Sequence, residues 1–138
     1  MAPHERASES SMRNEIVDGV DFHDGHLDAV CIKPERRCDL NMSGVTVHAE
    51  RGGQRVAYWS TVRLRLAGVN RLAVEILPTS RMTELTVERE GVRIDPDLFV
   101  LAPTSATSVR IEWVGPVSIV IGIQSVFLEV VSLDEPHM

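Results

Sequence analysis

The stretch VDFHDGHLDAV, residues 20–30, brings His23, His26 and the carboxylates of Asp21, Asp24 and Asp28 into one short run. Imidazole and carboxylate are the ligands of zinc and iron sites and the partners of general acid–base catalysis. His23, Asp24 and His26 form the candidate metal set, with Asp28 or the distant His48 as a further ligand. Their spacing does not match a helical ligand pair such as His-Glu-x-x-His, and the His-x-Glu at His48-Ala49-Glu50 is not followed by a paired Cys-x-x-Cys. A structural role competes with that chemistry. Asp24–Gly25 is a turn dipeptide, in which Asp bonds nearby backbone and Gly takes a positive φ. Phe22 and Leu27 would anchor the turn on the core, with the His23 ring partly buried and hydrogen-bonded. The residue types favour the turn over a metal or catalytic site, and no cofactor is expected.

Two further sets of residues can bind. Arg55, Trp59, Arg63 and Arg65 share one parity of an alternating run and face outward. An exposed Trp among arginines suits a protein-docking surface, because both bury large areas and a guanidinium stacks on an indole. The same residues also suit an ordinary outer sheet face on which Arg stems, or the N-terminal segment, cover Trp59. Glu15, Asp18, Asp21, Asp24 and Asp28 make the start of the domain acidic, which attracts a basic partner and speeds encounter. Asp24 and Asp28 are the binding candidates there. Nucleophilic catalysis finds no support: Ser60, Ser80, Ser105 and Ser108 lack a Gly-x-Ser-x-Gly elbow, and Cys31 and Cys38 sit in apolar strand context.

The elements that must position these residues are strands. No apolar 3.6-residue period persists over three turns, so no long helix is expected. LDAVCIK and CDLNMSGVTVHAE form a hairpin across PERR, on which Cys31 and Cys38 can face each other as two buried thiols. Leu40 and Met42 differ in parity from Val45, Val47 and Ala49, so an inserted residue at Ser43–Gly44 must restore the phase. The RGGQ turn leads to a strand with Val56, Tyr58, Val62, Leu64 and Leu66 inward. AGVNRLAVEIL reads as a further strand with Leu72, Val74 and Ile76 on one side. TELTVEREGVRID is a hairpin turning at Glu90–Gly91, with Val87 opposite Ile94. LFVL is a short apolar run, APTSATS a loop and VRIEW a strand. After a turn at Gly115–Pro116, VSIVIGIQSVFLEVV shifts phase at Gln124–Ser125, as a bulge or a bend between sheets. Seven to nine short strands with turn chemistry between them indicate an all-β antiparallel sandwich, with a partly closed barrel as the alternative.

A chain of 138 residues is long enough for one core without disulfides or metal. Residues 1–13 read as a disordered leader and 14–138 as a single all-β domain. A net charge of −6 argues against nucleic acid, whose backbone demands a concentrated positive face. No run has transmembrane length and the N-terminus lacks the apolar middle of a secretory signal, so a cytoplasmic location without membrane contact is expected. A small-molecule binder, with its ligand between the sheets or in a barrel mouth, is a further alternative, although only 4% of residues are aromatic, which disfavours an aromatic-lined pocket.

Phe22-His23-Asp24-Gly25, followed by a leucine and a strand, and VRLRLAGVNRLAV (residues 62–74) resemble a group of small bacterial β-sandwich proteins. These open with a Phe-His-Asp-x motif, and some are grouped as immunity proteins of polymorphic toxin systems. The resemblance covers residues 20–75 and, more loosely, the final strand. It implies a non-enzymatic module that binds a protein, such as a toxin, or associates with itself. Where such proteins continue with a polar, Asn-containing segment, this chain has EILPTSRMTEL, so no site residues are carried over.

Overall fold

The alternation of apolar and polar side chains becomes strand along most of the chain. A computed structural model describes residues 16–74, 78, 80–99, 103–114 and 117–137. In chain order the strands are β1 (Ile16–Asp21), β2 (His26–Lys33), β3 (Arg37–Arg51), β4 (Gln54–Ala67), β5 (Met82–Arg89), β6 (Val92–Ile94), β7 (Thr104–Ser105), β8 (Ser108–Trp113), β9 (Ser118–Gly122) and β10 (Ser125–Pro136). They form two antiparallel sheets, one ordered β1-β3-β4-β10-β7 with β2 also on β3, the other β6-β5-β8-β9. The sheets do not close into a barrel, so the sandwich stands and the barrel does not. Ten strands slightly exceed the seven to nine expected, and β3, β4 and β10 are long, at 15, 14 and 12 residues.

Length without loss of register comes from inserted residues. Met42 pairs with Val62 and Val45 with Ser60, so Ser43 and Gly44 together oppose one residue of β4. Gly44 takes φ +64°, the left-handed conformation that a side chain opposes. The phase break at Gln124 is a passage between sheets: the amide of Ile123 donates to Thr107 beside the second sheet, and that of Gln124 to Ala67 at the end of β4 in the first. Both hairpin turns fall as expected, with Arg51 paired to Gln54 and Val87 to Ile94. Inward side chains of both sheets meet in one core, including Leu40, Met42, Val62, Leu64, Val109 and Ile111.

Three expectations need correction. Residues 68–74 are not a strand: only Arg71 makes a bridge, to Gly122, and Leu72 and Val74 pack half-buried against the core. That segment spends its backbone groups on the free edge of β9, where Asn70 donates to Gly122 and Gly122 to Arg71. Cys31 and Cys38 do not face each other, because the register sets Cys31 opposite Asp39 and Cys38 opposite Ile32. Both are free thiols, Cys38 buried and Cys31 only half-buried. Burial, then Asp39 and Cys31, raise the Cys38 pKa, so its thiol stays protonated at neutral pH. The 3-10 turn Pro96–Leu98 leads into the short apolar LFVL run and seats Phe99 in the core; Val100 and Leu101 lie outside the described residues. The APTSATS loop contains the two-residue strand β7, which lies on Ser125 and Val126. The expected leader, Glu15, Ile76 and the Gly115–Pro116 turn lie outside the described residues.

Candidate functional site

The Phe22–Gly25 run is a projection between β1 and β2. Both strands pair with β3, and the four residues from Phe22 to Gly25 oppose only Gly44 and Val45 between the Asp21–Thr46 and His26–Ser43 pairs. The chain bulges here because the amide of Gly25 closes a β-turn on the Phe22 carbonyl at 3.1 Å, and Phe22 itself is buried. The left-handed residue is Asp24, at φ 66°, not Gly25 as the dipeptide suggested. Nor does Asp24 make the local backbone bond; the Asp21 carboxylate does, accepting the His23 amide at 2.9 Å. Gly25 is needed for space, since a Cβ there would stand 2.8 Å from a Val45 methyl.

The projection reaches the other sheet. Asp24 donates its amide to the Met82 carbonyl at 2.8 Å, and Met82 donates to Gly25 at 2.7 Å. His23 Nδ1 lies 2.7 Å from the Thr83 carbonyl, which only accepts, so Nδ1 carries the proton. These three bonds join the turn to the first residues of β5. The His23 ring is therefore hydrogen-bonded but exposed, where partial burial was expected. Its Nε2 sits 3.6 Å from Asp24 Oδ2, and His23 lines a cleft of about 520 Å³ together with Glu84, Arg93 and Asp95. The Thr83 bond first, then Asp24, with smaller help from Asp21 and Glu84, raise the His23 pKa above 6.5, against a small opposing effect of desolvation.

His23 and Asp24 are thus brought together, and His26 is not. His26 stands on β2 opposite Ser43, and Asp28 is the extra residue of a bulge between Leu27 and Ala29. His48 lies farther along β3, opposite Ala57. Among the described residues, no group of three or more His, Cys, Asp or Glu side chains is placed to hold a metal ion. What the corner offers chemically is one proton-carrying imidazole beside a carboxylate.

The outward row lies where alternation put it. Trp59 is 41% exposed, and the His137 ring covers part of it, with centroids 3.8 Å apart. The cover comes from the C-terminal end, where the His137 amide bonds Ala57. Its arginines are paired. Arg55 meets Asp18 at 3.3 Å, while Arg63 and Arg65 reach the same Glu129 oxygen at 3.3 and 2.9 Å. Arg63 also donates to Asn41 at 2.9 Å, and Asn41 to the Cys31 sulfur at 3.4 Å. A polar ladder therefore crosses β2, β3, β4 and β10. Asp21, Thr46 and Trp59 are successive partners, which sets the acidic corner roughly 10 Å from the indole on the same face.

Sequence reasoning missed Glu129, His137 and the β5 backbone, all remote in the chain from the residues they meet. Only Glu129 left a trace, as an outward acid in an apolar run. No family model matches this chain, and neither curated proteins nor solved structures yield a match.

Proposed function

We propose that this chain is a non-enzymatic protein-binding module that docks its partner on the outer face of the first sheet, around Trp59. The observation that carries the reading is an indole left 41% exposed in the middle of a braced sheet. His137 stacks on one part of it, and the surrounding arginines are already held in ion pairs with Asp18 and Glu129. A partner therefore meets a pre-positioned aromatic with little side-chain ordering left to do. Asp21 and Asp24 add negative charge at the rim, which steers a basic partner. The resemblance of Phe22–Gly25 and residues 62–74 to immunity-grouped proteins makes a toxin, met in the cytoplasm, the first partner to test.

The test is affinity capture from the native host followed by titration of the purified partner. Trp59→Ala weakens binding by about tenfold or more, and Asp24→Lys slows association. A partner bound equally by the wild type and Trp59→Ala ends the reading. A dimer that Trp59→Ala disperses assigns the face to self-association instead.

A further inference from the structure

Beyond protein docking, the geometry points to a second site: the hollow at the β2–β3 end of the first sheet binds a small carboxylate that carries an apolar body. In an acidic chain, five of the fourteen Lys and Arg residues gather at this end: Lys33, Arg36, Arg37, Arg65 and Arg71. Lys33 pairs directly with Arg37, and Asp39 with Arg65 and then Phe127, so these side chains share the outer face. They line a half-open hollow of about 420 Å³, with Phe127 supplying apolar surface and Pro103 a wall. That volume suits a ligand of one ring and a short chain.

The charges of Lys33 and Arg37 are not spent. Among the described residues, neither Lys33 nor Arg37 has a carboxylate within ion-pair distance; Arg37 has only the Pro34 carbonyl, at 3.5 Å. Glu129 is shared between Arg63 and Arg65, which leaves one positive charge in excess on that trio. Asp39 contributes the single negative charge of the lining and disfavours a polyanion. The turn that sets Lys33 beside Arg37 holds Glu35 at φ 63° and Arg36 at φ 57°. Non-glycine residues rarely adopt that conformation, and the turn they form lets Lys33 pair directly with Arg37. A carboxylate fits the Lys33–Arg37 side through charge-assisted hydrogen bonds, and its apolar body fits over Phe127.

The probes are phenylacetate, its neutral amide phenylacetamide, acetate and tripolyphosphate, each titrated into the full chain and followed by amide NMR shifts. Phenylacetate saturates, with shifts at Lys33, Arg37, Arg65 and Phe127, and the other three bind at least about tenfold more weakly. The exposed double variant Lys33→Gln/Arg37→Gln loses about tenfold or more in affinity at an unchanged melting temperature, whereas Arg110→Gln on the other sheet binds as the wild type. Equal binding of the acid and its amide, an unaffected double variant, or no saturation below roughly 10 mM overturns the proposal. Because these probes read no protein partner, failure here leaves the docking of a partner at Trp59 standing, and the converse holds.

Discussion

The corner at Phe22–Gly25 and the row at Arg55–Arg65 are both rich in polar side chains, yet they use them in opposite directions. At the corner, polar atoms point across the seam: the amide of Asp24, the carbonyl of Gly25 and the ring of His23 all engage Met82 or Thr83 of the second sheet. In the row, Arg55, Arg63 and Arg65 lie along the first sheet and pair with Asp18 and Glu129 on its other strands. The corner fastens two layers. The row finishes one layer and leaves Trp59 open on it. The residues that look most like chemistry are thus largely occupied with architecture, and an ordinary alternating strand carries the surface offered to a partner.

The sharpest way to break this contrast is Phe22→Ala, which removes the buried ring that seats the corner. Its cost is about 3–5 kcal/mol in urea unfolding; a cost comparable to a surface change would mean that the corner is decoration. Gly25→Ala is next, at roughly 1–3 kcal/mol, because its Cβ crowds Val45. Hydrogen exchange at the Met82 amide should quicken in step. Arg36→Gly works in the other direction, relieving a left-handed conformation and raising the denaturation midpoint by the equivalent of about 1 kcal/mol. For the row, a double-mutant cycle on Arg63 and Glu129 should return no more than about 1 kcal/mol, since both side chains are a third exposed. A larger coupling would make the ladder a structural fastening like the corner.

The smallest effect is a pH dependence at His23. Its folded pKa is raised, so its contribution to stability is fully present below 6.5 and disappears as pH rises through the elevated value. The wild type should accordingly gain on His23→Gln only on the acid side of that window. By NMR the His23 titration midpoint lies above 6.5. Asp24→Asn should lower it only in part, because the Thr83 carbonyl is the larger cause. A complete return to the ordinary value in Asp24→Asn would show that the bond across the seam is not made.

Much of the fold was legible in the chain. The parity change between Met42 and Val45 located the bulge at Ser43–Gly44, and the change after Ile123 located the passage between sheets. Glu90–Gly91 set the Val87–Ile94 pair correctly. The AGVNRLAV segment misled because Leu72 and Val74 keep strand parity while their backbone serves only as a cover for the edge of β9. At the corner the turn was legible but its mechanics were not: the dipeptide assigned the positive φ to Gly25, whereas packing against Val45 requires the glycine and leaves Asp24 to take the strained conformation.

Alternation, turn residues and glycine placement determined by themselves that this chain forms antiparallel strands, where most of them turn, and which side chains face out. These are properties of neighbouring residues, and each is settled within a few positions. The tertiary structure alone decided that β1 and β2 share β3, that Asp24 meets Met82, and that His137 covers part of Trp59 while Glu129 pairs with two arginines. Those contacts join residues tens of positions apart, and they form only when two sheets bury a common core.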